Sequence, residues 1–148
     1  MRFLRQRRVS FDTHTYEHRE KGAEFAALAL GLPLERFAKT LVVEAGGDPV
    51  FALMPGDREL SLKKLARAAG TKQAQLADPR DAERVTGYLV GGISPFGARR
   101  ALPVFLESSL LEHERIAVNG GQRGVILELA SADVVRLLDA TAADLAAG

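Results

Sequence analysis

Two pairs of short apolar runs, each joined by a glycine-containing turn, constrain the fold of this chain more than any other feature. The four runs are residues 37–43, 50–54, 115–118 and 125–129. Gly46-Gly47-Asp48 joins the first pair, and residues 119–124, which read Asn-Gly-Gly-Gln-Arg-Gly, join the second. Apolar runs of this length around Gly and Asn are typical of antiparallel β-hairpins. The sequence therefore predicts a sheet that contains two hairpins.

Helical segments are predicted between and beside these hairpins. Gly31 and Gly70 are natural helix ends, Asp78-Pro79 is a helix start, and Ser131 is expected to cap the last helix. The predicted helices are residues 22–30, 61–69, 79–87 and 131–138, and the other predicted strands are residues 9–16 and 102–106. Helices that interleave irregularly with hairpins predict an α+β fold, with a mixed, partly barrel-like sheet and helices packed outside.

The composition limits the chemistry available to the chain. It has 148 residues, 47% of them hydrophobic, and we expect residues 1–148 to form a single domain. The chain has no cysteine, which excludes disulfides, a thiolate nucleophile and cysteine-bound metals. A net charge of +1 is too balanced for a protein that coats nucleic acid, so we expect no DNA partner. Because no apolar run reaches membrane-spanning length and the basic start lacks the apolar segment of a signal peptide, we expect a cytoplasmic protein without membrane contact.

Lys39 is the most informative charged residue, because it lies inside an apolar run. In a strand, Phe37, Lys39 and Leu41 share one face, and Ala38 and Thr40 point to the other. A lysine on such a face either extends along apolar surface to water or directs its ammonium into a polar cavity. In a cavity the ammonium would hold a phosphate or stabilise a developing oxyanion. The residues alone leave both readings open.

Residues 87–97 form a glycine-rich segment that contains four glycines. Glycines allow a backbone to approach a ligand closely, although a purely structural loop explains the same pattern, and the spacing matches neither common nucleotide-binding motif. Ser94 has no histidine nearby in sequence, which makes a serine triad a weak alternative. His14 and His18 would lie too far apart on a strand to share a metal, so we expect no metal site.

Four strings occur in order along the chain and together are similar to the YbaK/prolyl-tRNA-synthetase-associated domain family. They are Tyr16-Glu17-His18, residues 30–43, Ala77-Asp78-Pro79 and residues 87–97. The resemblance implies a mixed sheet curled towards a barrel, with Lys39 as the essential catalytic lysine and Tyr16 lining the same pocket. It also implies a substrate-binding loop at Gly91, Gly92, Ser94, Pro95 and Gly97.

The family consists of aminoacyl-tRNA deacylases that edit mischarged tRNA. The Gly-Gly-x-Ser-Pro form of the loop resembles the branch associated with Cys-tRNA(Pro). The resemblance implies substrate-assisted ester cleavage without a cofactor, an aminoacylated tRNA 3′ end as partner, and association with prolyl-tRNA synthetase. Two alternatives stay open: a deacylase for Ala, Ser or Thr on tRNA, and a non-catalytic module that binds a tRNA end or a synthetase.

Overall fold

The computed structural model describes residues 1–17 and 23–148. The helices are α1 (Arg2–Gln6), α2 (Ala23–Leu30), α3 (Leu62–Ala69), α4 (Pro79–Thr86) and α5 (Ser131–Leu138). The strands are β1 (Asp12–Thr15), β2 (Phe37–Ala45), β3 (Asp48–Pro55), β4 (Ala74–Leu76), β5 (Val104–Glu107), β6 (Arg115–Asn119), β7 (Val125–Ala130) and β8 (Thr141–Ala143). None of the described helices combines the length and the apolar character that crossing a membrane requires.

The eight strands form one mixed sheet. Its order is β1-β7-β6-β2-β3-β5-β8, and β4 pairs with β2 outside this path. The β2–β3 and β6–β7 pairs are antiparallel hairpins, whereas β2–β6, β3–β5 and β5–β8 are parallel. The predicted α+β class, the two hairpins and the mixed sheet are confirmed. The end strands β1 and β8 are not paired with each other, so the sheet is open.

Hairpin β2–β3 is the longest paired unit, with eight residues of each strand in register. Gly46 and Gly47 have positive φ angles of 60° and 90°, the conformation that a tight turn requires and that glycine adopts without strain. The predicted alternation along β2 is confirmed, because Ala38 and Val42 pack into one core cluster whereas Leu41 and Val43 pack into another. Helices cover both clusters, as expected.

Local capping explains where two helices begin. The Ser61 hydroxyl accepts a hydrogen bond from the Lys64 N–H, and the Asp78 carboxylate accepts one from the Arg80 N–H. The prediction that Ser131 caps α5 is wrong. Ser131 is already helical, and its hydroxyl donates to the carbonyl of His113 in the segment before β6.

The first predicted strand is shorter than expected, because residues 9–11 do not belong to β1. Arg8 has a positive φ of 55°, and the N–H of Val9 donates to the carbonyl of Leu4. These features end α1 and turn the chain before β1 begins. Val9 is therefore buried through its contact with the core and not through strand pairing.

The far edge of β2 contains a gap that positions the functional site. On the side away from β3, β2 pairs with β6 at Phe37 and Ala38 and with β4 from Val43 to Ala45. Neither strand pairs with residues 39–42. The N–H of Ala77 donates to the carbonyl of Val42 at 3.0 Å and closes one end of the gap. Backbone and side chains of this short stretch are therefore available to a cavity.

Candidate active site

A cavity of about 370 Å³ lies at this gap in the β2 edge. Its volume is within the range of small-ligand pockets. The middle of β2, the end of β4, the start of α4, the glycine-rich segment and the end of β6 all contribute to its wall. The lining residues are Tyr16, Ala26, Phe37, Lys39, Thr40, Leu41, Val42, Leu76, Ala77, Pro79, Ala82, Val90, Gly91, Ile93 and Asn119. The wall is therefore mostly apolar, with a few polar groups between the apolar ones.

Lys39 lines this cavity, so the second arrangement considered for its side chain is sterically possible. Its side chain is 23% exposed, so most of the stem is buried in the wall. The ammonium Nζ lies 3.8 Å from Oε1 of Glu59, whose side chain is 89% exposed. An ion pair this long with a solvent-exposed partner holds the lysine only weakly. The ammonium is therefore available to an anionic or developing negative group in the cavity.

Thr40 is a polar residue of this cavity that the sequence reasoning did not single out. Thr40 lines the same cavity as Lys39, and its Oγ1 is buried without a hydrogen-bond partner within residues 1–17 and 23–148. A buried hydroxyl without a partner costs about 1–3 kcal/mol, so proteins seldom leave one without a reason. Adjacent strand residues normally face opposite sides of a sheet, but here both reach a cavity that opens at the strand edge. Strand alternation alone could not reveal this.

Tyr16 and Gly91 lie on the same cavity as Lys39, as the resemblance implied for the tyrosine and for the loop. Tyr16 follows β1, and its N–H donates to the carbonyl of Gly124 at 3.0 Å. Its side chain packs against the cluster that contains Phe37. The structure thus brings together three predicted site residues that are 75 positions apart in sequence from first to last, between Tyr16 and Gly91.

The other four predicted loop residues do not line this cavity. Ser94 is fully buried, and its hydroxyl accepts a hydrogen bond from the Phe96 N–H at 3.1 Å, which does not support a nucleophilic serine. A Cβ on Gly92 would lie 2.8 Å from the backbone nitrogen of Arg123. Pro95 and Gly97 line a separate cavity of about 260 Å³. Gly92, Ser94, Pro95 and Gly97 therefore shape the loop, and their direct contact with substrate stays a prediction.

Aromatic side chains contact the glycine-rich loop and help to hold it in place. The Tyr88 hydroxyl donates to the carbonyl of Phe96, and burial raises the pKa of Tyr88, so the phenol stays protonated as a donor. The rings of Phe3 and Phe96 are 5.7 Å apart between centroids. Arg7 in turn stacks on Phe3, with 3.5 Å between its guanidinium carbon and the ring centroid. Helix α1 therefore supports the loop through Phe3, and Arg7 at its end stacks on that ring.

The histidine considered for metal binding has a structural partner instead. His14 Nε2 is 3.1 Å from Oε1 of Glu128, and the other carboxylate oxygen accepts from Arg36 at 2.6 Å. His18 lies outside the described residues. Within the part of the chain that the structure describes, no group of three or more His, Asp or Glu side chains could hold a metal ion.

The fold and this cavity define an aminoacyl-tRNA editing domain. The family model described as "Aminoacyl-tRNA editing domain" matches residues 18–137, and the chain belongs to this family. A relative from Enterococcus faecalis, EbsC, is assigned as a Cys-tRNA(Pro)/Cys-tRNA(Cys) deacylase. It is 35% identical over 148 residues, which cover 98% of this chain and 90% of EbsC.

Two further comparisons agree with this membership. A proline–tRNA ligase from Nitratidesulfovibrio vulgaris strain Hildenborough is 41% identical over 81 residues, which cover 55% of this chain and 14% of the ligase. A crystal structure assigned as a trans-editing enzyme for prolyl tRNA synthetase superposes with a TM-score of 0.88 at 26% identity. The match covers 99% of this chain and 93% of that one. The family resemblance read from the sequence is therefore confirmed.

Proposed function

We propose that this chain is a trans-editing hydrolase that removes a misattached small amino acid from tRNA(Pro), with Cys-tRNA(Pro) as its preferred substrate. Family membership supports aminoacyl-tRNA as the substrate class, and the assignments of EbsC and of the trans-editing structure support tRNA(Pro) and cysteine. The observation that carries the proposal is local: Lys39 and Thr40 line one mostly apolar cavity, and the Thr40 hydroxyl has no partner among the described residues.

The reaction is hydrolysis of an ester that is already activated. Water adds to the ester carbonyl, the carbon–oxygen bond to the terminal ribose breaks, and the ribose oxygen takes a proton. The products are a free amino acid and an uncharged tRNA. Such a reaction gains most from orientation of the ester and from donors that stabilise the tetrahedral oxyanion.

The cavity residues divide these tasks in our proposal. Lys39 supplies positive charge at the ester carbonyl or at the terminal phosphate, and Thr40 donates a hydrogen bond to the bound 3′ end. Gly91 offers a backbone N–H to the carbonyl oxygen. Tyr16 and Phe37 wall the pocket that receives the amino-acid side chain. The cysteinyl thiol or the neighbouring ribose hydroxyl assists cleavage, as the family resemblance implies.

Recognition of the whole tRNA needs more than this cavity. The net charge of +1 supplies little general affinity for a polyanion, and one methylene in a pocket gives only about 10–200-fold discrimination. The match to an 81-residue part of a proline–tRNA ligase supports association with that synthetase as the source of tRNA selectivity.

Because charged tRNA is its substrate, we expect the protein to act in the cytoplasm. All eight described strands join one sheet, which supports residues 1–148 as one editing domain.

Hydrolysis of charged tRNA by the wild type and by Lys39→Met tests the proposal. We expect the wild type to deacylate Cys-tRNA(Pro) faster than Ala-tRNA(Pro) and to spare Pro-tRNA(Pro). Because methionine keeps most of the stem but removes the charge, Lys39→Met should lose about 100-fold or more in rate constant. Lys63→Met, at an exposed position of α3, controls for the loss of one charge.

Each alternative outcome has a clear meaning in this assay. If Ala, Ser or Thr is removed fastest, cysteine selectivity fails and deacylation stands. If the wild type releases none of these amino acids faster than buffer, the protein is a binding module and the proposal fails. A Lys39→Met variant as active as the wild type would contradict the assignment of the site.

A further inference from the structure

The hairpin turn between β6 and β7 places Arg123 against the glycine-rich segment. Its Nε–H donates to the carbonyl of Val90 at 2.8 Å. A Cβ on Gly91 would lie 2.9 Å from the same Nε, which means that the arginine stem lies closely against that glycine. Gly91 has a positive φ of 95°, a conformation that residues with a side chain rarely adopt. The contact therefore depends both on the arginine and on the glycine.

A second charged residue holds the other side of Val90. The carboxylate of Glu83, on α4, accepts a hydrogen bond from the Val90 N–H at 2.8 Å. The two peptide groups that flank Val90 are thus fixed by two ionisable side chains from two different elements. Hydrogen bonds with a charged partner are roughly twice as strong as neutral ones. A glycine-rich loop loses much conformational entropy when it becomes ordered. The two hydrogen bonds from Arg123 and to Glu83, the anchors of this loop, help to hold it in one conformation.

These two anchors set the direction of the next amide. The described backbone has no cis peptide bond, so the N–H of Gly91 points opposite to the carbonyl of Val90. Val90 and Gly91 line the cavity. Arg123, which donates the hydrogen bond to the carbonyl of Val90, is not one of the lining residues. With the carbonyl turned to Arg123, the N–H of Gly91 points to the opposite side of the peptide.

We propose that Arg123 and Glu83 are positioning residues that hold the Val90–Gly91 peptide so that its N–H meets the carbonyl oxygen of the bound ester. This inference rests on the proposed deacylase function, and it adds two residues that do not line the cavity. An alternative role for the exposed guanidinium of Arg123 is a direct contact with a tRNA phosphate. The two roles depend on different atoms and can be separated.

Matched substitutions separate the hydrogen bond from the charge. In Arg123→Gln the side-chain amide nitrogen occupies the same chain position as Nε, so the variant keeps a donor and loses the charge. In Arg123→Met a methyl group takes that position, and both donor and charge are lost. Glu83→Gln and Glu83→Met form the equivalent pair for the acceptor. Arg67→Met, on the exposed surface of α3, controls for the loss of one positive charge.

The measurements are the single-turnover rate constant and the KM for Cys-tRNA(Pro). We expect Arg123→Met and Glu83→Met to lower the rate constant about 10- to 100-fold with little change in KM, because a displaced donor affects the transition state. Arg123→Gln and Glu83→Gln should keep most of the wild-type rate constant, and Arg67→Met should match the wild type. Amide exchange at Val90 should be faster in Glu83→Met than in Glu83→Gln.

Two outcomes would overturn the positioning role. If Arg123→Met and Arg123→Gln raise KM equally and leave the rate constant unchanged, the guanidinium binds phosphate and does not position the loop. If both Met variants turn over as fast as an active wild type, the anchors are dispensable. An inactive wild type would instead refute the proposed function itself, so the two failures are distinguishable.

Discussion

Two buried polar groups on strands of the sheet have opposite surroundings. Glu107 ends β5 with 3% of its surface exposed, and its carboxylate accepts hydrogen bonds from the Ser109 N–H, the Ser109 hydroxyl and the Leu145 N–H. Thr40, on β2, has a buried hydroxyl without a partner among the residues that the structure describes. The first arrangement holds the fold together. The second leaves hydrogen-bonding capacity for a ligand, in agreement with the site that we propose at β2.

The charge of Glu107 follows from its partners. Burial alone would raise the pKa of its carboxyl. The hydrogen bonds from Ser109 and Leu145 and the positive charge of Arg58 outweigh burial and lower the pKa below the ordinary value of 4.5. The carboxylate is therefore ionised at neutral pH, and it fastens the chain near β8 to the end of β5.

Removal of the Glu107 carboxylate should give the largest loss of stability. Glu107→Ala leaves the buried N–H of Leu145 and the donors of Ser109 without an acceptor, which should lower the free energy of unfolding by about 3 kcal/mol. Urea unfolding measures this difference, with Glu112→Ala at an exposed position as the control. If Glu107→Ala is as stable as Glu112→Ala, the Glu107 carboxylate does not hold the fold together, and the contrast with Thr40 is wrong.

The same carboxylate should make stability depend on pH. Because the pKa of Glu107 is lower in the folded than in the unfolded protein, its contribution is present above about pH 4.5 and is lost as the pH falls through the folded value. The wild type should therefore lose more unfolding free energy than Glu107→Gln when the pH is lowered from about 6 to about 3. Parallel pH curves for the two proteins would contradict the lowered pKa.

Gly92 tests whether the loop glycines serve the ligand or the fold. A Cβ at this position would lie 2.8 Å from both the nitrogen of Arg123 and the carbonyl carbon of Gln122, which are backbone atoms that cannot move away easily. Gly92→Ala should lower the free energy of unfolding by about 1–3 kcal/mol, the usual cost of overpacking. An unchanged thermal midpoint combined with lost activity would instead indicate close approach of a ligand backbone.

Thr40 should show the reverse pattern, with a smaller effect. Thr40→Val keeps the shape of the side chain and removes a hydroxyl that has no partner to lose, so stability should stay equal or rise. Deacylation should fall by about 3- to 10-fold, the value of one hydrogen bond to the bound 3′ end, and Thr40→Ser should retain it. If Thr40→Val lowers the stability and leaves the activity unchanged, Thr40 has a structural role like that of Glu107.

Sequence patterns predicted the features that depend on neighbouring residues. The turn at Gly46-Gly47, the helix end at Gly70 and the cap at Asp78 depend on a few adjacent positions, and all three are confirmed. Ser131 also matched a capping pattern, but its hydroxyl donates to a carbonyl 18 residues earlier in the chain. No local pattern carries that information.

For the candidate site, too, the sequence predicted only the residues that a local pattern or the family resemblance indicates. Lys39 stood out as a charge in an apolar strand, and the resemblance connected it with Tyr16 and the glycine-rich loop. Thr40 and Arg123 carried no comparable signal. Thr40 lines the cavity because β4 and β6 leave a gap on one edge of β2, and Arg123 contacts the loop because a distant hairpin turn lies against Val90. Both depend on how strands assemble and not on the residues next to them.

A crystal structure with a non-hydrolysable 3′-cysteinylamide analogue of the terminal adenosine tests most directly whether the gap in the β2 edge is the active site. We expect the analogue to lie in the cavity of Lys39, with polar atoms within hydrogen-bonding distance of Lys39 Nζ, Thr40 Oγ1 and the Gly91 N–H. Binding in the separate cavity lined by Phe3, Arg7 and Pro95 would contradict this placement of the site.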